Sequence, residues 1–173
     1  NGTNYCWCNG VVTAIQLTRI VNNAPFIEYS PASVAAPIKG YRNQGGWGGE
    51  ALDYIVNNGI LPASFWPVNA IKRQYDTPES RQERQKHKIT EWYELQRRNF
   101  DQLMTAVLLR FPVAVGYNWW SHEVCAVRPV KLALNKFGIG ILNSWGSGYG
   151  ENGFAVLSES KATPDDAVCP STF

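Results

Sequence analysis

Apolar residues in the first part of the chain recur at helical intervals. From Cys6 to Val21 they fall three or four positions apart, which is the spacing of residues on one face of an α-helix. Asn4 can accept a hydrogen bond from the first turn, as N-cap residues do. We therefore expect a first helix that begins at Cys6.

Three further helices are predicted. The segment GGEALDYIVNNGI has helical spacing and ends in a glycine C-cap. Thr77 followed by Pro78 opens a third, charged helix that includes His87, because a cap followed by proline is typical of a helix start. Asn99 opens a fourth helix that runs to about Arg110.

The second part of the chain changes to short apolar runs separated by turn residues. Such runs are typical of strands. Four strands are predicted, at 113–117, 124–127, 139–142 and 154–157. They indicate a small antiparallel sheet or barrel and, together with the preceding helices, an α+β fold.

Composition excludes several classes of protein. Of the 173 residues, 45% are hydrophobic and seven are tryptophan, as expected of a folded globular domain. No apolar run is long enough to span a membrane, so we expect no membrane interaction. The net charge is only +2, and the basic residues between 72 and 98 are interspersed with glutamates. This pattern indicates a solvated helix face and no nucleic-acid partner.

Cysteine and histidine are too sparse for a metal site. The four cysteines, at positions 6, 8, 125 and 169, form no CxxC pair, and only two histidines accompany them. Zinc sites use closely spaced groups of these residues. We expect neither a metal nor a cofactor.

Three residues from distant parts of the chain have the chemistry of a nucleophile, a base and an orienting group. Cys6 stands at a predicted helix start, where free N–H groups and the helix dipole favour a thiolate. His122 precedes one predicted strand and Asn143 follows another. An asparagine oxygen can accept one ring N–H and orient the imidazole. Taken singly, these residues also fit structural roles as a small buried hydrophobe, a core histidine and a turn former.

Five segments of the chain resemble the papain-like cysteine peptidases in order and spacing. YCWCNGVVTAI resembles that family's nucleophile segment, and NQGGWGGEALDYIVNNGI resembles its Gly-Gly stretch and the following helix. FPVAV and SHEVCAV resemble the strands that lead to and carry the catalytic histidine. NSWGSGYGENGF is nearly identical to the family's asparagine motif. The resemblance covers nearly the whole chain.

The resemblance implies a two-lobed fold with the active-site cleft between the lobes. Residues 1–92 would form a helical lobe that carries the nucleophile helix. Residues 93–173 would form a lobe built on an antiparallel β-barrel, which carries the histidine and the asparagine. The implied activity is hydrolysis of peptide bonds in a peptide or protein substrate.

The resemblance also assigns roles to individual residues. Cys6 would be the nucleophile, His122 the general base and acid, and Asn143 the orienting amide. Trp145 and Tyr149 would shield the Asn–His hydrogen bond from water. Six residues would contact substrate: Gly45, Gly46, Trp47, Trp120, Glu123 and Val124.

Two departures from the family pattern shape further expectations. The family's oxyanion-hole glutamine would fall one residue before Asn1, so we expect a processed or fragmentary start. Whether a missing N-terminal segment supplies this glutamine stays open. The family's framework disulfides lack their partners, since Thr3 and Asn43 replace two of the cysteines and Cys169 has lost its mate. This absence favours a protein of a reducing compartment, or one stabilised by other chains of a larger assembly, over a lysosomal or secreted protein.

Glu123 has two interpretations. It could form a salt bridge with a basic residue on the surface. Alternatively, it could place a negative charge at the rim of the pocket for the second residue before the scissile bond, and so favour a basic side chain there. The sequence does not decide between the two.

Two other functions stay open. One is a catalytically silent binding or structural domain within a larger assembly, which the abnormal start and lost disulfides favour and the intact Cys-His-Asn set opposes. The other is a Cys-His amidase acting on isopeptide or cell-wall peptide bonds. The nearly complete asparagine motif favours the peptidase.

Overall fold

The computed structural model describes residues 2–172, and within that range it contains five α-helices and six strands. The helices are α1 (Cys6–Val21), α2 (Ala32–Ile38), α3 (Gly48–Asn58), α4 (Pro78–Arg84) and α5 (Phe100–Leu108). The strands are β1 (Glu91–Glu94), β2 (Val113–Tyr117), β3 (His122–Ala133), β4 (Lys136–Leu142), β5 (Phe154–Ser158) and β6 (Asp166–Thr172).

The six strands form one antiparallel sheet in the order β1-β6-β2-β3-β4-β5. A tight turn joins β2 to β3, and Tyr117 pairs with His122 directly across it. His122 therefore stands at one end of two central strands, where its backbone is fixed by the sheet.

Two apolar clusters make the core. The first packs α1, α2 and α3 around fully buried side chains such as Trp7, Leu52 and Trp66. The second lies between α5 and the sheet and includes Leu103 and Ile141. The predicted boundary between the lobes, at 92/93, falls within β1, and the division into lobes stays a prediction.

Helix α1 lies against the sheet and so connects the two clusters. It contacts β2, β3 and β6. A side chain at Gly10 would come within 3.2 Å of the Val124 carbonyl oxygen, so the glycine permits the close approach of α1 to β3. That approach holds Cys6, at the start of α1, near the first residue of β3.

Most predicted elements are confirmed. The structure begins the first helix at Cys6 and ends α3 before Gly59, the predicted C-cap. Thr77 opens α4 with a capping box, and Asn99 accepts the Gln102 N–H at the start of α5. The four predicted strands correspond to β2, β3, β4 and β5, of which β3 is longer than predicted.

Two local predictions are wrong. Asn4 does not cap α1, because its amide groups bind Asn43 and Tyr5 takes the N-cap position without a side-chain bond. His87 does not lie within the charged helix, which ends at Arg84. Its ring instead contacts the Tyr29 hydroxyl and the Glu83 carboxylate.

Candidate active site

The Cys6 thiol is half-buried at the N-terminus of α1, the position that the sequence predicts for a nucleophile. Burial is the largest influence and raises the pKa of this thiol. The backbone N–H groups of Glu123, Trp7 and Cys6 itself oppose the rise, whereas the Glu123 carboxylate adds to it. The helix start thus supplies donors for a thiolate, but they do not cancel the cost of burial.

His122 and Asn143 form a buried hydrogen bond. The His122 Nε2 and Asn143 Oδ1 atoms are 2.8 Å apart, and Oδ1 also accepts the Ser144 N–H at 2.8 Å. A backbone N–H can only donate, so this atom is the amide oxygen and the imidazole must donate to it from Nε2. The lone pair of a neutral imidazole is therefore on Nδ1.

Aromatic rings enclose this hydrogen bond. The Trp145 ring stacks on His122 with centroids 4.6 Å apart, and Trp120 meets the same imidazole edge-to-face at 4.9 Å. Tyr149 packs against both tryptophans. Trp145 is 48% exposed, whereas Asn143 is only 6% exposed. That Trp145 and Tyr149 shield the Asn–His hydrogen bond from water stays a prediction.

A cleft of about 220 Å³ brings the thiol and the imidazole together. Its lining residues come from α1, the Gly-Gly segment, strands β2, β3 and β6, and the turn between β2 and β3: Cys6, Trp7, Gly45, Gly46, Gly116, Tyr117, Asn118, Ser121, His122, Glu123 and Asp166. The Gly-Gly segment is held against α1, because Trp7 Nε1 donates to the Gln44 carbonyl at 3.2 Å. The Trp7 ring also lies only 2.7 Å from where a side chain at Gly46 would begin.

Three residues predicted to contact substrate, Trp47, Trp120 and Val124, are not among those that line this cleft. Trp47 packs edge-to-face on Trp92, with centroids 6.1 Å apart. Trp120 belongs to the aromatic enclosure of His122, and the Val124 side chain is buried in the second cluster. A direct role of these residues in substrate contact stays a prediction.

Glu123 is buried, so it makes no surface salt bridge. It is 5% exposed, and its Oε1 atom has no hydrogen-bond partner. Gly10 and Gly48 accommodate the side chain, since Oε1 lies only 2.6 Å from where a Gly48 side chain would begin. Burial first, and then the Asp166 charge, raise the pKa of Glu123 well above its usual range.

We expect Glu123→Gln to make the free energy of unfolding less dependent on pH. Below the ordinary glutamate pKa both states hold the proton, and the raised pKa has no effect. Above it the unfolded chain loses the proton while the folded protein keeps it, so stability falls as pH rises, with a slope approaching about 1.4 kcal/mol per pH unit. Urea denaturation between pH 4 and pH 7 measures this.

The matched control is Glu151→Gln, which alters an exposed acid. Its stability relative to the natural chain should stay constant over the same range. A stability difference for Glu123→Gln that is equally flat would contradict a protonated, buried carboxyl.

Gly116 and Asp166 line the cleft but were not predicted from the sequence. Asp166 opens β6, a strand that was not predicted, and it pairs with Gly116 in β2. Only the sheet topology brings these two residues beside the thiol. No single-sequence pattern could have found them.

The described part of the chain has neither a metal-binding cluster nor a helix that could span a membrane. Among residues 2–172 there is no group of three or more histidine, cysteine, aspartate or glutamate side chains that could hold a metal ion. In the same range, no helix has the length and apolar character needed to cross a bilayer.

Comparison with known protein sequences finds a plant relative. The sequence is 25% identical over 177 residues to ananain of Ananas comosus, covering 88% of this chain and 49% of that protein. The chain thus spans about half the length of the curated relative it matches. No protein-family model matches the sequence.

Solved structures share the fold. The bromelain protease of Ananas comosus, in complex with the E64 inhibitor, superposes with a TM-score of 0.80 at 22% identity, covering all of this chain and 91% of that one. Digestive procathepsin L 3 of the Tenebrio molitor larval midgut superposes with a TM-score of 0.81 at 21% identity, covering 98% and 64%.

The expectation of a reducing compartment is wrong. All four cysteines are free, but a structural relative is a digestive proenzyme of the larval midgut. The digestive setting of this neighbour contradicts the inference from missing disulfides to a reducing compartment.

The fold comparison and the motifs agree. The antiparallel sheet, the helix that begins at Cys6 and the paired His122 and Asn143 occur in an architecture shared with bromelain and procathepsin L 3. The chain therefore has the papain-like cysteine peptidase fold.

Proposed function

We propose that this chain is the catalytic domain of a cysteine peptidase, with Cys6 as nucleophile, His122 as general base and acid, and Asn143 as the orienting residue. One observation carries the proposal. The Asn143 oxygen accepts from both His122 Nε2 and the Ser144 N–H, which leaves the basic Nδ1 of the imidazole for the thiol in the same cleft.

The first half of the reaction forms a thioester. The Cys6 proton moves to His122 Nδ1 as the sulfur attacks the carbonyl carbon of the scissile bond. The resulting oxyanion lies near the start of α1, where the Cys6 N–H can donate to it. The imidazolium then returns its proton to the nitrogen of the breaking C–N bond, and the amine product leaves.

The second half of the reaction restores the enzyme. His122 takes a proton from a water molecule, whose oxygen attacks the thioester carbonyl. The C–S bond breaks, the acid product leaves, and the sulfur recovers its proton from the imidazolium. Asn143 accepts the same ring N–H throughout both steps.

Proton transfer within the pair suits the electrostatics of the site. Burial raises the pKa of Cys6, and burial lowers the pKa of His122 despite the opposing effect of the Asn143 bond. Each group alone thus favours its neutral form. Transfer of one proton creates two opposite charges together, and their attraction offsets part of the desolvation cost.

The experiment that tests the proposal is labelling with the E64 epoxide. The Cys6 sulfur should open the epoxide ring, forming a C–S bond while the released oxygen takes a proton. We expect one inhibitor per chain, located on Cys6 by mass spectrometry. The other three thiols are buried, and burial raises the pKa of each, that of Cys169 to about 12.

Two controls make the labelling decisive. Iodoacetamide in denaturant should modify all four cysteines, which shows that each thiol is free to react. Inhibitor on Cys8, Cys125 or Cys169 in the folded protein, or no inhibitor on an accessible Cys6, would contradict the proposed nucleophile.

A further inference from the structure

The Glu123 carboxyl is enclosed between α1 and α3. Its Cγ atom lies 3.3 Å from where a side chain at Gly10 would begin, and its Oε1 atom lies 2.6 Å from where a side chain at Gly48 would begin. Val11 and Val168 border the same space. The residue is 5% exposed, and Oε1 has no hydrogen-bond partner. This packing leaves no room for a ligand, so the change open to the carboxyl is the gain or loss of a proton.

The surroundings of this carboxyl are acidic. The titratable side chains that act on it or respond to its charge come from α1, β3 and β6: Cys6, Cys8, Cys125 and Asp166. The facing positions of α3 and β2 are Gly48 and Gly116, which have no side chain. None of the salt bridges among residues 2–172 involves Glu123. Burial first, and then the Asp166 charge, raise the pKa of Glu123, so the carboxyl keeps its proton above the pH at which an ordinary glutamate loses it.

Two parts of Glu123 act on the Cys6 sulfur in opposite directions. The backbone N–H donates to the sulfur and favours the thiolate, whereas the side-chain carboxylate, when ionised, disfavours the thiolate. Pairing with Gly116 holds the backbone in β3, so the N–H stays at the sulfur whether or not the side chain is protonated. The pKa of the neighbouring imidazole is governed by burial and by Asn143. The protonation of Glu123 thus bears on the sulfur of the proposed pair.

We propose that Glu123 is a proton-controlled switch on the proposed nucleophile. While the carboxyl holds its proton, the Cys6 sulfur forms the thiolate by passing its proton to His122. When the carboxyl loses its proton to water, a thiolate would be the second negative charge in one buried region, where like charges oppose each other strongly. Glu123 acts through Cys6, so it is a positioning residue and not a catalytic one. The inference rests on the proposed function, because it takes Cys6 as the nucleophile.

The test measures the rate at which iodoacetamide alkylates Cys6 in the folded protein, from pH 5 to pH 9, in the natural chain and in Glu123→Gln. The reagent is uncharged, so the carboxylate has no direct effect on it, and glutamine fills the same space but cannot ionise. We expect the ratio of rate constants, Glu123→Gln over the natural chain, to rise about tenfold across this range, the typical effect of one like charge at close range. A change in packing alone would give a ratio that does not depend on pH.

Asp166→Asn gives a second, independent measurement. The Asp166 charge raises the pKa of Glu123, and the pKa of Cys6 responds in turn to the Glu123 charge. Without Asp166 the carboxyl should ionise at lower pH, so alkylation of Asp166→Asn should be several-fold slower than that of the natural chain near neutral pH. Adding Glu123→Gln should abolish this loss. Should Glu123→Gln fold poorly, the single Asp166→Asn variant still decides the outcome.

Glu151→Gln is the matched control, since it removes an exposed acid outside the cleft and should leave the rate unchanged at every pH. A ratio for Glu123→Gln that is flat or falls with pH, while Cys6 is still the residue alkylated, would overturn the switch and leave the peptidase proposal standing. Alkylation of another thiol in place of Cys6 would contradict the proposed nucleophile itself. The expected rise at Cys6, in a chain that hydrolysed no peptide, would support the switch alone.

Discussion

Cys6→Ser is expected to reduce peptide hydrolysis by at least about 10⁴-fold, because removal of a nucleophile costs an enzyme most of its rate enhancement. A serine hydroxyl preserves the shape of the site but is far less acidic than the thiol, so His122 cannot generate the attacking anion as readily. The measurement is kcat/KM for a fluorogenic peptide, together with the thermal unfolding midpoint. The midpoint should change little, since Cys6 is only half-buried.

Cys8→Ser is the matched control for the loss of a thiol from α1. Cys8 is fully buried, and its sulfur donates to the Pro31 carbonyl at 3.3 Å, a bond that a hydroxyl can replace. Activity should stay within a few-fold of the natural chain. Equal losses in the two variants would show that α1 tolerates no change, and retained activity in Cys6→Ser would exclude Cys6 as the nucleophile.

Asn143→Ala is expected to lower kcat/KM by about 10- to 100-fold. The imidazolium formed during the reaction would lose its hydrogen bond to Oδ1, and a bond to a charged group contributes about 1.5–3 kcal/mol. The ring would also be free to adopt the other tautomer, with Nδ1 protonated and unable to accept the thiol proton. The loss should fall mainly on kcat, because Asn143 is not among the residues that line the cleft.

Ser147→Ala tests whether the surrounding loop is simply sensitive to change. Ser147 is exposed in the same glycine-rich segment, and its replacement should leave kcat/KM unaltered. The pH profile gives a second measurement. In Asn143→Ala the activity limb governed by His122 should move to lower pH, since the Asn143 bond raises the pKa of that imidazole. An unmoved limb with full activity would mean that another group orients the ring.

The sequence reveals the proposed catalytic residues because their local surroundings carry strong signals. Helical spacing places Cys6 at a helix start, and a capping pair or a terminal glycine marks the ends of α3, α4 and α5. The glycines after Asn143 indicate a tight turn, and the Asn143 N–H does bind the Gly153 carbonyl across it. These signals are short-range, so one sequence suffices to read them.

Elements without a periodic pattern were missed for a physical reason. Helix α2 is buried along nearly all of its length and contains Pro37, so its sequence has no polar face. Strand β1 has the opposite composition: it is largely exposed, and it lies at the edge of the sheet. Both elements are specified by packing against the rest of the protein, which local alternation does not record.

The sequence by itself determined the fold class, the family resemblance and the identity of the three proposed catalytic residues. Only the tertiary structure decided what surrounds them. In the folded chain Glu123 is buried between α1 and α3, Trp120 packs against the His122 ring, and Asp166 lies beside Gly116. These contacts join residues from separate strands and helices. Their positions depend on sheet register and on the approach of α1 at Gly10, which are properties of the folded chain as a whole.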